Sequence, residues 1–151
     1  MYKLNFSAYK FKLSKKNNKI YIFDEIRKKN IFLTPEEWVR QHVIQFLIQE
    51  NNYAKSLIAV EKEIKVNKQK KRFDILIFNK QGTPELIVEC KAPTIKITQK
   101  TFDQIARYNL ELKAKYLMLT NGLNHYYCKM DFEKKIYIFL EECPKNIKAN
   151  K

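Results

Sequence analysis

Arg72 to Lys91 reads RFDILIFNKQGTPELIVECK, two apolar, β-branched runs joined through Asn79-Lys80-Gln81-Gly82-Thr83-Pro84. Runs of this composition punctuated by Gly and Pro read as strands, and the short connection makes them a hairpin. Counting outward from a turn centred between Gln81 and Gly82 sets Asp74 opposite Glu89. Side chains alternate along a strand. Asp74, Leu76 and Phe78 are therefore expected on one face with Glu85, Ile87, Glu89 and Lys91, and Ile75, Ile77, Leu86, Val88 and Cys90 on the other. Two carboxylates and one ammonium then converge at one end of the hairpin. Like charges facing one another across strands repel, so this pair calls for a cation between them. Oxygen donors without histidine or thiolate suit a hard divalent ion, Mg²⁺ or Mn²⁺ in its place, which keeps waters and substrate phosphates among its ligands. Lys91, on the face of Glu89, would orient or deprotonate an attacking water and offset charge on a phosphorane. The plain alternative is a salt bridge from Lys91 to Glu89 or Asp74 with no metal at all.

Moving outward, Leu57 to Val66 is a third strand-like run before the hairpin. Before that, Thr34 is a good N-cap, Pro35 suits the first helical position, and Val39, Val43, Phe46 and Leu47 recur at helical spacing, predicting a helix from about Pro35 to Glu50. After the hairpin, Thr101 is expected to cap a second helix through Phe102, Ile105, Tyr108 and Leu112 to about Lys113. Strands are expected at Tyr116–Thr120, His125–Phe132 and Ile136–Leu140. At the other end, Tyr2 to Leu13, Lys19 to Asp24 and the stretch around Ile31 to Leu33 read as an N-terminal strand pair. The expected class is α/β, a mixed central sheet flanked by two helices. The expected division is an N-terminal β appendage at 1–33, the main domain at 34–142 and a tail at 143–151.

The chain has 151 residues, 45% of them hydrophobic and 30% charged, the make-up of one globular domain. Its two glycines, Gly82 and Gly122, cannot assemble a glycine-rich phosphate loop. No apolar run approaches a membrane span and no leader-like segment opens the chain, so a cytoplasmic protein is expected. Cys90, Cys128 and Cys143 lack the paired spacing of a disulfide framework or of a zinc site, and read as buried thiols. Thirty Lys plus Arg against sixteen Asp plus Glu give a net charge of +14, attractive to polyanions. Only four of the thirty are arginines. The lysine, isoleucine and asparagine richness also fits an AT-rich coding genome, so charge permits nucleic acid without requiring it.

With these residues assembled, the sequence resembles the PD-(D/E)XK nuclease superfamily, whose signature is an Asp followed by Glu-x-Lys on the next strand. The matching residues are Asp74 in Lys71-Arg72-Phe73-Asp74-Ile75 and Glu89-Cys90-Lys91-Ala92-Pro93, with Phe73 where the signature often has proline. Thr34-Pro35-Glu36-Glu37-Trp38-Val39-Arg40-Gln41, Gln104-Ile105-Ala106-Arg107-Tyr108 and Leu119-Thr120-Asn121-Gly122 look more narrowly like the N-terminal nuclease domain of type I restriction enzyme R subunits, over about residues 34–142.

The resemblance implies a restriction-endonuclease-like core of helix, three strands, helix and strand, acting on DNA with Mg²⁺. It implies Asp74, Glu89, the Cys90 backbone carbonyl and a first-helix glutamate as metal ligands, with Lys91 and Gln104 catalytic. Tyr108, Arg72 and Arg107 are then the substrate-binding candidates. Of the two helix glutamates, Glu36 falls on the stripe of Val39, Val43 and Leu47, and Glu37 falls beyond it with Ile44 and Ile48; Glu36 is the better candidate and Glu37 the alternative. Trp38 reads as core. In the resembled enzymes this domain is fused to an ATP-driven translocase. The chain is therefore either a Mg²⁺-dependent endonuclease or a catalytically idle module serving a helicase or specificity subunit on another chain, with self-association left open.

Overall fold

A computed structural model describes residues 2–146; the tail expected from Cys143 thus lies partly outside the described residues. Along the chain run β1 (Leu13–Lys16), β2 (Lys19–Asp24), β3 (Lys29–Phe32), α1 (Pro35–Gln49), a 3₁₀ turn (Lys55–Leu57), β4 (Ile58–Val66), β5 (Gln69–Phe78), β6 (Pro84–Cys90), α2 (Gln99–Leu112), β7 (Tyr116–Thr120), β8 (His125–Asp131) and β9 (Ile136–Leu140). The first three strands form a small antiparallel sheet, and β4 to β9 form a six-stranded sheet in chain order. Within it only β6 and β7 are parallel. A parallel pair needs a long crossover, and α2 supplies it. The α/β class is thus observed, with two helices and a mixed sheet.

One helix covers each face of the sheet. On the first face Val39, Val43, Ile44 and Leu47 of α1 pack on Ile75, Ile77, Leu86, Val88 and Met118. On the second, Phe102 and Ile105 of α2 pack on Leu76, Ile87, Leu117, Leu119 and Cys128. Alternation in β6 and β7 separates these sets as a period-two pattern requires. Among the described residues no helix is long and apolar enough to cross a membrane.

Helix α1 begins where the sequence places it: the Thr34 side chain accepts the Glu37 amide at 3.0 Å, and Pro35 occupies the first turn. Helix α2 begins earlier than expected. Its N-cap is Thr98, and Thr101 lies inside the first turn, its hydroxyl 3.3 Å from that of Thr98. Three residues separate the two threonines, so either satisfied the same pattern.

The N-terminal strand pair is a three-stranded sheet, and Tyr2–Lys12 is not part of it. The aromatic residues of that segment find partners on α1 instead. Phe6 packs on His42, Phe46 and His125, and Phe11 on Trp38 and His42. Trp38 is partly buried at the margin of the α1-side core. Leu4 is buried in the same core, and the Asn5 amide donates to the Gly122 carbonyl at 2.7 Å. Residues 2–33 are therefore tied to the larger sheet as well as to α1.

Alternation fails at one place, beside Asp74. Phe73 and Leu76 both lie in the α2-side core although three positions separate them, whereas Ile75 and Ile77 face α1. The pairing of β4 with β5 is interrupted at the same point, between Val60↔Ile75 and Lys62↔Phe73, where Glu61 takes a left-handed backbone with φ 52°. A strict two-residue period therefore misplaces Asp74, which reaches α1 and does not share the Leu76 face.

Candidate functional site

Asp74 sits in the distorted part of β5, and both its oxygens are engaged. The Arg40 guanidinium of α1 donates to Oδ1 at 2.7 Å, and the Cys90 amide donates to Oδ2 at 2.9 Å. The β5–β6 register, Ile75↔Val88 and Leu76↔Ile87, carries Asp74 opposite Glu89 when extended by one step. The hairpin arithmetic gives the observed register at Ile75↔Val88, Leu76↔Ile87 and Ile77↔Leu86, with a bulge nearer the turn, between Ile77 and Phe78.

Glu89 belongs to β6, a central strand, and its side chain is only 12% exposed. Lys91 Nζ lies 3.3 Å from Glu89 Oε1, while Glu89 Oε2 is buried with no hydrogen-bond partner. Burial first, and the nearby Asp74 charge second, push the Glu89 carboxyl up to about 7, against the opposing pull of Lys91 and Lys71. The salt bridge anticipated as the plain alternative is thus present, but on a central strand and over a half-satisfied buried carboxylate. Lys91 is anchored by its amide, which donates to the Thr120 carbonyl at 2.8 Å. Cys90, between them, points into the α1-side core; burial raises its thiol well above the ordinary range, which removes it as a nucleophile.

The first helix delivers both glutamates to this end of the sheet. Glu36 is half-exposed, 3.2 Å from Arg40, and its carboxyl is raised by burial and then by Asp74. Glu37, which the helical wheel set beyond the stripe of Val39, Val43 and Leu47 with Ile44 and Ile48, does not face solvent. It is buried, accepting from Arg27 at 2.8 Å, from Gln41 at 3.0 Å and from Arg40. The β2–β3 turn lies over it. There the buried Asp24 accepts from the Arg27 side chain at 2.7 Å and from Gln41 at 3.0 Å. Both arginines also approach Glu61 at 3.5 Å. Arg40, 6% exposed, is the hub, and the sequence alone assigned it no role in the site. Its spacing to Glu36 was visible, but its contacts to Asp74 and Glu61 come from distant strands. Among the described residues no three His, Cys, Asp or Glu side chains gather as a ready metal cluster. A guanidinium stands among the carboxylates instead.

The α2 candidates lie to one side. Gln104, Arg107 and Tyr108 line a cleft of about 750 Å³ with Lys100, Asp103 and the β4–β5 turn residues Val66, Asn67 and Gln69. Lys71 links this cleft to the carboxylates: its ammonium lies 5.2 Å from the Tyr108 ring centre and acts electrostatically on Glu89. Arg72 is not part of the group. It is exposed and 3.7 Å from Glu63, pointing along the outer hairpin.

A family model described as the N terminus of the type I restriction enzyme R protein matches residues 35–144. Among solved structures, one described as a fragment of an HsdR subunit of a type I restriction enzyme from Vibrio vulnificus YJ016 is similar. It has 21% identity and a TM-score of 0.54 over 75% of this chain and 24% of that one. At that identity the likeness speaks for the fold, and the chain spans about a quarter of that structure's length. No curated protein matches the chain.

Proposed function

The chain belongs to the family of type I restriction enzyme R protein N termini, and from that premise we propose that it is a PD-(D/E)XK-type domain that hydrolyses DNA phosphodiester bonds in restriction or related DNA processing. The observation that carries this reading is the buried, unpartnered Glu89 Oε2 beside Asp74 on central strands. A carboxylate oxygen left without a donor in a packed sheet is costly unless a proton or a cation comes to it. Asp74, Glu89, the Cys90 carbonyl and Glu36 are the groups that would hold a divalent ion; Mg²⁺ typically takes few carboxylates and fills its shell with water. When bound, the ion supplies Lewis acidity toward the phosphoryl oxygens.

The chain's own residues do the rest. Lys91, tied to Glu89 and anchored through its amide to β7, holds an ammonium where it can orient the attacking water and offset charge developing on the phosphate. Gln104, Tyr108 and Arg107 line the adjacent cleft, and Lys71 at its border carries positive charge toward the same carboxylate. A nucleic-acid strand lying in that cleft would meet amides, one aromatic ring and cations. The partners this reading implies are DNA and translocase or specificity subunits carried elsewhere, in the cytoplasm.

The test is an assay of supercoiled and single-stranded DNA with Mg²⁺ or Mn²⁺ and with chelator, on the parent and Lys91→Ala. Cleavage that needs metal and disappears in Lys91→Ala, while calorimetry still detects the ion, is the expected result. Cleavage of equal rate in Lys91→Ala would remove the role assigned to this lysine. A second reading, a nucleic-acid-binding module without catalysis, is favoured by Arg40 already neutralising Asp74; DNA binding with no cleavage under any metal would establish it.

A further inference from the structure

Arg40 is unusual for a buried residue in having more acidic partners than it can neutralise. Its guanidinium bonds Asp74 at 2.7 Å and also contacts Glu37, with Glu36 at 3.2 Å and Glu61 at 3.5 Å, while its Nε is buried and unpartnered. Arg27 shares Glu37 and Glu61 from the other side. Four carboxylates, from α1, β4 and β5, thus surround Arg40, and the second guanidinium, Arg27 of the β2–β3 turn, reaches only Glu37 and Glu61 among them, leaving Asp74 and Glu36 to Arg40. Burial alone would weaken the charge on Arg40, yet Glu37 and Asp74 keep it firmly protonated.

The geometry points to Arg40 as a positioning residue that serves as the resident counter-ion of Asp74, and from which a divalent cation must take Asp74 Oδ1. The inference rests on the metal-binding reading of Asp74 and adds the residue that controls it. With no metal, the guanidinium holds Asp74 in place and lets it stand opposite Glu89 despite their like charge. When a divalent ion approaches, two positive groups cannot share one carboxylate oxygen at close range without a large Coulomb cost. Arg40 has somewhere to go: Glu61, which is not among the groups that would hold the ion, is already at 3.5 Å, so a small rotation transfers its charge there while Glu37 keeps its hold. Affinity for the ion is therefore set lower than the carboxylates alone would give, and ion loading is coupled to the α1 to β5 contact.

Removing the charge tests this without any assay of cleavage. Arg40→Gln is expected to melt at lower temperature than the parent with chelator present, because Glu37 and Asp74 lose their common partner. It is also expected to bind Mg²⁺ or Mn²⁺ more tightly in calorimetry, roughly tenfold or more, because the competing cation is gone. Arg40→Lys keeps the charge and should bind the ion within about threefold of the parent, which a purely structural role would not predict. Should Arg40→Gln fail to fold, the parent protein decides the matter alone. It has four arginines, so a ¹⁵N-arginine spectrum is sparse, and the Arg40 side-chain signal, assigned by its loss in Arg40→Lys, should shift as Mg²⁺ is titrated. An Arg40 signal that stays put at saturating ion, or Arg40→Gln binding the ion no tighter than the parent, overturns the exchange while leaving the metal site intact. No binding of either ion by the parent overturns the metal reading, and the exchange with it.

Discussion

At the scale of single residues, Glu89 makes the protein's stability depend on pH in an uncommon direction. A carboxyl raised to about 7 in the folded state, from its ordinary value of 4.5, holds a proton that the unfolded chain has released. Between those values the native state binds more protons, so stability falls as pH rises through this window. Glu89→Gln should flatten that fall, which denaturant unfolding of both proteins at about pH 5 and about pH 8 will measure. His42 and His125, both lowered by burial, act oppositely on the acid side of 6.5, which is why the comparison with Glu89→Gln isolates the carboxyl. A variant whose slope matches the parent would show that Glu89 is ionised throughout. The nearness of Asp74, Glu89 and Lys91 was legible in the sequence because one short turn sets the register of the two strands that carry them. Arg40 was not, because its decisive bond joins residues 34 positions apart, and no local period records which helix face meets which strand.

At the scale of elements, the helix caps and turns can be tested one bond at a time. Thr34→Ala removes the acceptor for the Glu37 amide and should cost about 1 kcal/mol in chemical denaturation. The change should also loosen Glu37, and with it Arg40, one turn further on. Gly122→Ala is expected to cost more than the cap, on the order of 2 kcal/mol or above. A Cβ there would meet Leu4 Cδ2 at 2.7 Å and Val39 Cγ2 at 3.0 Å, on a backbone with φ +86°. If Gly122→Ala is neutral, the packing of the N-terminal segment on α1 is looser than described. Where the structure departs from the sequence reading, the causes are specific. Tyr2–Lys12 carries the aromatic content of a strand, but Phe6 and Phe11 satisfy it against α1 rather than in a ladder. Burial energy depends on area and not on secondary structure, so composition could not separate these outcomes.

At the scale of the whole molecule, the charge of +14 acts as a field rather than as contacts. Most of it is lysine, which meets phosphate as a point charge, so DNA affinity should be largely independent of base sequence and fall roughly tenfold or more between about 50 and about 200 mM salt. Fluorescence anisotropy at several salt concentrations checks this, and a flat dependence would point to some other acidic ligand. The layered α/β architecture was readable from the order of elements, since a helix between two strands of one sheet must cross over it. The distortion at Glu61 was not, because a left-handed glutamate leaves no mark in composition.

That distortion has a consequence for how copies of the protein can meet. The sheet has two borders, β4 and β9. The β4 border is kinked at Glu61 and carries Glu61, Lys62, Glu63 and Lys65 exposed, all features that resist the addition of a foreign strand. The β9 border is a regular ladder with Ile136, Ile138 and Phe139 exposed, the last at 52%. Growth of a sheet from molecule to molecule needs two receptive borders, and this one has a single receptive border and a guarded one. Among the described residues, strand addition between copies is therefore open at β9 alone, and the distortion that stands beside Asp74 is also what guards the opposite border of the sheet.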